Sequence, residues 1–232
     1  MHLIIFDIDG TLIHSHDQEI PCFEAALAEV TGITNIEHDI DCYPHITDLG
    51  IAMTCIERHL KRSATQEELA IFEMRFYERL VQTFATTSIR TLPGAAQLFD
   101  ELNKYNDVAL AIATGCFHRI AQLKLTHSKL PILQLPIAST NDSFDRTLIL
   151  QKALNKAKMH YQRNDFKSIT YIGDGPWDIK AVKALQWKFI GVASSFSELE
   201  LRQWGAQCII PDFLSPTHFI NQIISQNLPS LV

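Results

Sequence analysis

The sequence predicts an α/β fold in which a parallel β-sheet carries an inserted helical segment. From Leu92 onward, short apolar runs that suit buried strands alternate with segments of helical periodicity. An isolated apolar run, Leu3–Phe6, lies near the N-terminus, and residues 14–90 show helical spacing with few strand signals. A chain of 232 residues is long enough for one domain with an insertion.

The predicted sheet is built from six short apolar runs. They are Leu3–Phe6, Val108–Ala113, Ile137–Ser139, Ser168–Ile172, Phe189–Val192 and Cys208–Ile210. Helices are predicted between them at Arg119–Ser128, Arg146–His160, Asp178–Leu185 and Glu198–Trp204. Because strands connected in this way run parallel, their carboxyl ends share one edge of the sheet, and we expect the ligand there.

The inserted segment is predicted to be helical, with helices at Cys22–Thr31, Leu49–Leu60 and Gln66–Phe84. Polar residues cluster at His14–Glu19 and at Thr87–Pro93, which we interpret as hinges. The predicted boundaries are therefore residues 14–90 for the insertion and residues 1–13 with 91–232 for the core.

Composition and charge exclude several classes of protein. A net charge of −6 without a Lys/Arg-rich block gives no reason to expect a nucleic acid as partner. The five cysteines are odd in number and show no Cys-x-x-Cys spacing, so we expect no disulfide framework and favour the cytoplasm. No apolar stretch approaches the ~18 residues of a membrane span, and we expect no signal peptide. The oligomeric state stays open.

Two carboxylates, Asp7 and Asp9, directly follow the first apolar run and precede a glycine turn at Gly10. Residues at i and i+2 of a strand point to one face, so both side chains could reach the open end of the sheet. Such a pair can hold a divalent cation, or one member can attack an electrophile while the other manages protons.

Three further segments fall at or between strand ends. Thr114 and Gly115 follow a second apolar run, where a hydroxyl and backbone N–H groups suit a phosphate oxygen. Asp174 and Asp178 lie in the stretch GDGPWD after another run, where glycines leave the backbone accessible. Arg146 begins the helix between these segments, and its charge could neutralise a phosphate.

Carboxylates that converge on one crevice need compensating positive charge, because like charges at short range repel each other. Asp7, Asp9, Asp174 and Asp178 offer only oxygen ligands, which suits magnesium, and no cluster of His or Cys competes for zinc. The sequence therefore predicts a Mg²⁺ site at the sheet edge.

These motifs, in this order, resemble the four signatures of the haloacid dehalogenase-like (HAD) hydrolase superfamily. Asp7–Leu12 is similar to the first motif, Thr114-Gly115 to the second, Arg146 to the third and Gly173–Asp178 to the fourth. The resemblance implies a Rossmann-like parallel sheet core with an all-helical cap domain inserted after the first motif, in the phosphoglycolate phosphatase and beta-phosphoglucomutase-like branch.

The resemblance also implies an activity and a mechanism. It implies a magnesium-dependent phosphatase that hydrolyses a small phosphomonoester, a phosphorylated metabolite, through an aspartyl-phosphate. Asp7 would be the nucleophile, and Asp9 would protonate the leaving group and then activate water. Asp9 argues against the halide-removing branch, which lacks a second Asp at this position.

The ligands that the resemblance implies fall into two sets. The implied metal ligands are Asp7, Asp9 through its backbone carbonyl, Asp174 and, in support, Asp178. The implied phosphate ligands are Thr114, Gly115 and Arg146, with Lys152 as the alternative to Arg146.

The chain departs from the family pattern in two places. Pro44 and His45 stand where a small, flexible pair is expected in the substrate loop, Cys42–Asp48. Cys116-Phe117-His118 replace the usual short polar residues after the second motif. The substrate is therefore left open.

Two other functions stay open at the level of sequence. A sugar phosphomutase would use the same aspartyl-phosphate, and a non-catalytic protein would keep the fold to bind a phosphorylated ligand. The roles of His14, His16, His118 and Cys116 are not decided by the sequence.

Overall fold

The structure, a computed structural model, describes residues 1–224 and 230–231. Its strands are β1 (His2–Phe6), β2 (Ile13–His14), β3 (Arg90–Thr91), β4 (Val108–Ala113), β5 (Ile137–Ala138), β6 (Ser168–Gly173), β7 (Lys188–Val192) and β8 (Ile209–Ile210). Within the described residues, six of these strands form one parallel sheet in the order β5-β4-β1-β6-β7-β8. The predicted α/β fold with a Rossmann-like parallel sheet is confirmed.

Helices connect the strands and cover the sheet. They are α1 (His16–Thr31), α2 (Asp48–Leu60), α3 (Gln66–Thr86), α4 (Ala95–Leu102), α5 (His118–Ser128), α6 (Arg146–His160), α7 (Pro176–Leu185), α8 (Glu198–Trp204) and α9 (Pro216–Ile224), with a 3-10 helix at Ile40–Cys42. Within the described part of the chain, none of them has the length and apolarity to cross a membrane.

The central strand β1 contributes to hydrophobic clusters on both faces of the sheet. Ile4 and Phe6 belong to one cluster, and Leu3 and Ile5 belong to the other, as expected when successive side chains of a strand point to opposite sides. All four side chains are fully buried. A strand covered on both faces explains the uninterrupted apolar run that precedes Asp7.

The inserted segment consists of α1, α2, α3 and the short 3-10 helix, and its helical character is confirmed. Phe23 of α1 packs edge-on against Phe72 and Phe76 of α3, with ring centroids 4.9 and 5.4 Å apart. The antiparallel pair β2–β3 closes the segment, because Ile13 and His14 pair with the two residues of β3. The domain boundaries at residues 14 and 90 stay a prediction.

The predicted start of the first inserted helix at Cys22 was wrong, whereas the interpretation of His14–Glu19 as a hinge stays a prediction. Helix α1 begins at His16, and the backbone N–H of Glu19 donates to the carbonyl of Ser15 at 3.0 Å. The sequence placed the helix start after Pro21, but proline near the start of a helix removes few backbone bonds.

Candidate active site

The register of the sheet brings the predicted motifs to one edge. Phe6 pairs with Ile112 of β4 and with Ile172 of β6, so the residues that follow these three strands emerge side by side. Asp7 follows β1 directly, and its backbone N–H donates to Ile172 O at 2.9 Å. Thr114 follows β4, is buried, and accepts a bond from a backbone N–H, so its hydroxyl proton can be donated to an anion.

Gly10 makes the turn that brings the first motif toward the fourth. Its φ of +69° lies in the left-handed region, and a Cβ there would overlap the carboxylate of Asp174. The hydroxyl of Ser194, after β7, donates to the carbonyl of Gly10. Only glycine combines this backbone conformation with so close an approach.

Arg146, the first residue of α6, contacts Asp7. Its Nη1 lies 3.4 Å from Asp7 Oδ1, and its Nε lies 3.7 Å from Asp178 Oδ1. Burial raises the pKa of Asp7 to about 8 against the opposing effect of Arg146, and Asp178 and Asp9 add to the rise. Asp7 therefore needs further positive charge nearby if it is to be fully ionised at neutral pH.

Asp174 and Asp178 lie behind Asp7 and are fully buried. Asp178 Oδ2 accepts bonds from the backbone N–H groups of Asp174 and Gly175, each at 3.2 Å, and Oδ1 accepts one from the Tyr171 hydroxyl at 3.1 Å. In contrast, neither carboxylate oxygen of Asp174 has a hydrogen bond of normal geometry among the described residues. Burial, Asp178 and Asp7 raise the pKa of Asp174 well above its usual value, against the opposing effect of the Ser195 hydroxyl and of Arg146. A buried carboxylate without a well-formed hydrogen bond fits a cation ligand.

A loop of the inserted segment, residues 46–48, rests on the predicted phosphate-binding residues. Arg146 Nη2 donates to Ile46 O at 3.1 Å, and the backbone N–H of Asp48 donates to Gly115 O at 2.9 Å. A Cβ at Gly115 would lie 2.8 Å from Arg146 Nη2. A side chain at position 115 would therefore push the Arg146 guanidinium or the loop at Ile46 aside.

His45, one of the departures from the family pattern, attaches the same loop to the core. Its ring packs edge-on against Phe144, with centroids 5.0 Å apart and planes at 74°. The hydroxyl of Thr47 donates to the carbonyl of Phe144 at 3.0 Å. His45, which stands where the family pattern has a small and flexible residue, thus gives the insertion a defined contact with the core.

A lysine that the sequence analysis did not single out lies beside Asp9. Lys124 of α5 is fully buried, and its Nζ lies 2.9 Å from Asp9 Oδ2 and forms an ion pair with Glu19 of α1. The Cys116 thiol donates to Asp9 Oδ2 at 2.9 Å, and the Ser15 hydroxyl donates to Oδ1. Although burial opposes it, Lys124 lowers the pKa of Asp9 to about 2. The ammonium group already supplies the positive charge of this cluster, so we assign no metal to it.

Cys116 is a thiol in this cluster and not a nucleophile. Burial and the nearby Asp9 raise its pKa well above the usual value, so it stays protonated and donates its hydrogen bond. The contact of Cys116 with Asp9 was not predicted from the sequence.

One sequence signal could have identified Lys124. It shares the buried face of α5 with Ile120, Ala121 and Leu125, and a lysine within an apolar stripe requires a buried partner. Its partners Asp9 and Glu19 lie 115 and 105 positions away, so no local spacing reveals them.

A cavity of about 370 Å³ lies between the sheet edge and the inserted segment. The predicted site residues at its wall are Asp7, Asp9, Thr114, Gly115 and Arg146. His16 lines it as well, whereas His14 and His118 lie outside its described lining. Lys152 is exposed on α6, so Arg146 is the basic residue of that helix that reaches the site.

Solved structures share this fold. A hydrolase from Pseudomonas syringae matches with a TM-score of 0.74 and 23% identity, over 96% of this chain and 99% of that chain. CbbY from Rhodobacter sphaeroides in complex with phosphate matches with 0.68 and 19%, over 92% and 95%. CbbY was also solved with xylulose-(1,5)bisphosphate. A predicted phosphoglycolate phosphatase from Haemophilus somnus matches with 0.65 and 17%, over 94% and 97%.

The structural likeness at these identities shows the fold alone, and no curated protein sequence gives a significant match. The family follows from a different comparison. The sequence model described as haloacid dehalogenase-like hydrolase matches residues 4–192, which include all four motifs. Since the match covers more than half of the 232 residues, the chain belongs to the haloacid dehalogenase-like hydrolase family.

Proposed function

We propose that this hydrolase is a magnesium-dependent phosphatase that cleaves a small phosphomonoester through an aspartyl-phosphate on Asp7. The observation that carries the proposal is the contact of Asp7 with Arg146 at the inner end of the cavity, which is the part that these two residues line. A carboxylate oxygen of the buried Asp174 lies within 4.8 Å of one of Asp7. A nucleophile, a cation for a phosphoryl group and a position for a metal ion are thus combined in one place.

The acidic residues fit a divalent cation. Oxygen atoms of Asp7, Asp174 and Asp178 lie within 4.8 Å of one another, and hard oxygen ligands suit Mg²⁺. Asp178 already accepts three hydrogen bonds, so we assign it a supporting role. Asp7, Asp174 and the backbone carbonyl of Asp9 would hold the ion. When bound, the ion supplies positive charge that stabilises the negative charge on the phosphoryl group.

Asp7 is the nucleophile in this proposal. Its carboxylate attacks phosphorus, and the bond between phosphorus and the alcohol oxygen of the substrate breaks. Arg146 uses one N–H toward Asp7 and one toward Ile46 O, so other N–H groups of its planar fork can donate to phosphoryl oxygens. The hydroxyl of Thr114 offers a further donor at the same end of the cavity.

Asp9 manages the protons of both steps. In the first step it gives a proton to the departing alkoxide, and in the second it accepts a proton from the water that attacks the aspartyl-phosphate and releases phosphate. Lys124 favours the ionised carboxylate that the second step needs. The negative charge of an arriving phosphoryl group acts in the opposite direction and favours the protonated form that the first step needs.

The test is a panel of phosphomonoesters, with phosphate release measured with Mg²⁺ and after chelation. Asp7→Asn should abolish turnover, and Asp9→Asn should reduce it by at least about 100-fold, within the usual contribution of acid–base catalysis. Asp17→Asn is the matched control, because Asp17 is an exposed acid on α1 and should not matter. Full activity of purified Asp7→Asn would overturn the nucleophile assignment.

Two other outcomes of the same panel would change the proposed function. Isomer formation from a sugar phosphate in excess of phosphate release would identify a phosphomutase. Binding of phosphorylated compounds without any turnover would identify a non-catalytic protein. The second outcome is not expected, because Asp7 and Asp9 both line the cavity, and binding alone requires neither.

A further inference from the structure

Much of the cavity lining is apolar. The apolar side chains that the inserted segment contributes to it are Ile20, Phe23, Ile36, Ile40, Tyr43, Ile46 and Ile51. Trp177 and Phe196 of the core also line the cavity, and their rings meet edge-on at 5.9 Å. A substrate whose phosphate lies at the inner end must therefore place its remaining atoms against aliphatic and aromatic surface.

The charged groups of the cavity are arranged unevenly. Among the described residues that line it, Arg146 is the one Lys or Arg side chain, and it lies at the inner end beside Asp7. The inserted segment contributes four carboxylates and two histidines to the lining, namely Glu19, Glu24, Glu37, Asp48, His16 and His38. Glu24 Oε1 lies 3.2 Å from His38 Nε2, and Glu37 Oε1 accepts the backbone N–H of His38 at 3.0 Å. A second phosphate or carboxylate on the substrate would meet these carboxylates and no strong cation.

Two other cations of this region are directed elsewhere. Arg58 and Lys180 line a neighbouring cavity, which shares residues 40, 43, 46, 146 and 177 with the first. Arg58 is held there, because its guanidinium stacks over the Tyr43 ring at 5.7 Å and donates to the carbonyl of Cys42. Neither cation belongs to the described lining of the cavity that contains Asp7.

We propose that the substrate is the phosphate ester of an apolar alcohol about the size of one ring, with a single phosphate and no further negative charge. This inference rests on the proposed phosphatase activity and names its substrate class. A second anionic group would leave water for a largely apolar lining that offers it no Lys or Arg, and Glu24 and Glu37, although partly exposed and exposed, respectively, add repulsion. The cavity thus discriminates against bisphosphates, such as the one solved with CbbY, and against phosphorylated carboxylic acids. A phosphomutase would pass through a bisphosphate intermediate, so the same surface disfavours that reaction.

The test compares kcat/KM of the Mg²⁺-containing enzyme for benzyl phosphate, phosphoglycolate and fructose 1,6-bisphosphate, with Asp7→Asn as the background. Benzyl phosphate should exceed each of the other two by at least about tenfold. Ile20→Lys should reduce the ratio of kcat/KM for benzyl phosphate to kcat/KM for each of the other two compounds by about fivefold or more. The new ammonium group would either face the second anionic group of the substrate or neutralise Glu24. Met74→Lys is the matched control: both side chains are exposed apolar residues of the insertion, at 43% and 39%, but Met74 lies outside the cavity lining.

The outcomes distinguish the proposed substrate class from the proposed phosphatase activity. Asp7-dependent turnover that favours phosphoglycolate or the bisphosphate would overturn the substrate class and leave the phosphatase activity standing. An equal change in Ile20→Lys and Met74→Lys would also overturn it, because the effect would then not arise in the cavity. Absence of Asp7-dependent turnover with all three compounds would overturn the proposed phosphatase activity itself, and the substrate class with it.

Discussion

Replacing Lys124 by methionine removes the one ammonium group that separates Asp9 from Glu19. Methionine has a similar length, so the main change is the loss of charge, and the cavity left behind is small. Lys124 is 0% exposed, and the side chains of Asp9 and Glu19 are 11% and 10% exposed. Breaking a buried ion pair from one side costs about 3–5 kcal/mol, because the remaining charge has no partner.

The lower end of that range applies here. Asp9 keeps its bonds from Ser15 and Cys116 and borders the cavity, so water can partly solvate it. We therefore expect Lys124→Met to lower the free energy of unfolding by about 3 kcal/mol, which for a chain of this size lowers Tm by about 6–12 °C. Since folded domains have about 5–15 kcal/mol of stability, the variant should still fold.

Urea unfolding followed by circular dichroism measures this loss. Lys152→Met is the matched control, because Lys152 is an exposed lysine on α6 and should change stability by less than about 0.5 kcal/mol. Adding Glu19→Gln to Lys124→Met removes one of the two uncompensated carboxylates, so the double variant should regain at least about 1 kcal/mol.

Kinetics distinguish a positioning role from a purely structural one. Lys124 does not line the described cavity, so KM should stay nearly constant while kcat falls by at least about tenfold. Without the ammonium group the pKa of Asp9 rises, so the acidic limb of the pH profile of kcat should move to higher pH. If Lys124→Met is as stable and as active as Lys152→Met, the reasoning about the buried charges is refuted.

Three further predictions concern the site and the loop above it. In metal-free protein, the pKa of Asp7 is raised to about 8, so the carboxyl stabilises the wild-type fold while protonated, and this stabilisation is lost as pH rises. From pH 5 to pH 7 the free energy of unfolding of Asp7→Asn, measured with urea, should therefore rise relative to that of the wild type by about 1–3 kcal/mol. A difference between the two proteins that becomes smaller as pH rises would contradict this. Gly10→Ala should abolish Mg²⁺ binding in calorimetry with the circular dichroism spectrum retained, since its Cβ would displace the Asp174 carboxylate; undiminished affinity would exclude Asp174 as a ligand. His45→Ala loses a ring contact with Phe144 of ~0.5–1.5 kcal/mol, so steady-state kinetics should show a higher KM with kcat within about twofold, and an unchanged KM would separate this loop from substrate binding.

The sequence predicts the bounds of a helix or strand best where one hydrophobic periodicity continues up to a clear stop signal. The predicted bounds of β4 and α6, Val108–Ala113 and Arg146–His160, agree with the structure. Helix α6 starts where it does because the Asp145 side chain accepts bonds from the first backbone N–H groups. The start of α1 could not be predicted in the same way, because Pro21 suggests a break that the helix tolerates.

The residues of the candidate site also fall into those that the sequence could predict and those that it could not. Asp7, Thr114 and Asp174 could be predicted, because each follows a strand of a parallel sheet and such strands end at a common edge. The cluster around Lys124 could not, because it forms only when α1 of the insertion packs near α5 of the core. Contacts between distant elements depend on the packing of the whole chain, which no short motif encodes.

The two acidic clusters, once compared, support the metal site on grounds of charge. In the first cluster the Lys124 ammonium lies between Asp9 and Glu19 and also faces Asp48, so a cation of the protein already holds the place between the carboxylates. Around Arg146, three carboxylates likewise face one guanidinium, but among the described residues Asp174 forms no ion pair with it. Two negative charges are left uncompensated there when all three carboxylates are ionised. The protein alone can reduce this imbalance only by protonation, and the raised pKa values of Asp7 and Asp174 express that cost. A divalent cation matches the remaining charge, and it would keep Asp7 ionised and therefore nucleophilic at neutral pH.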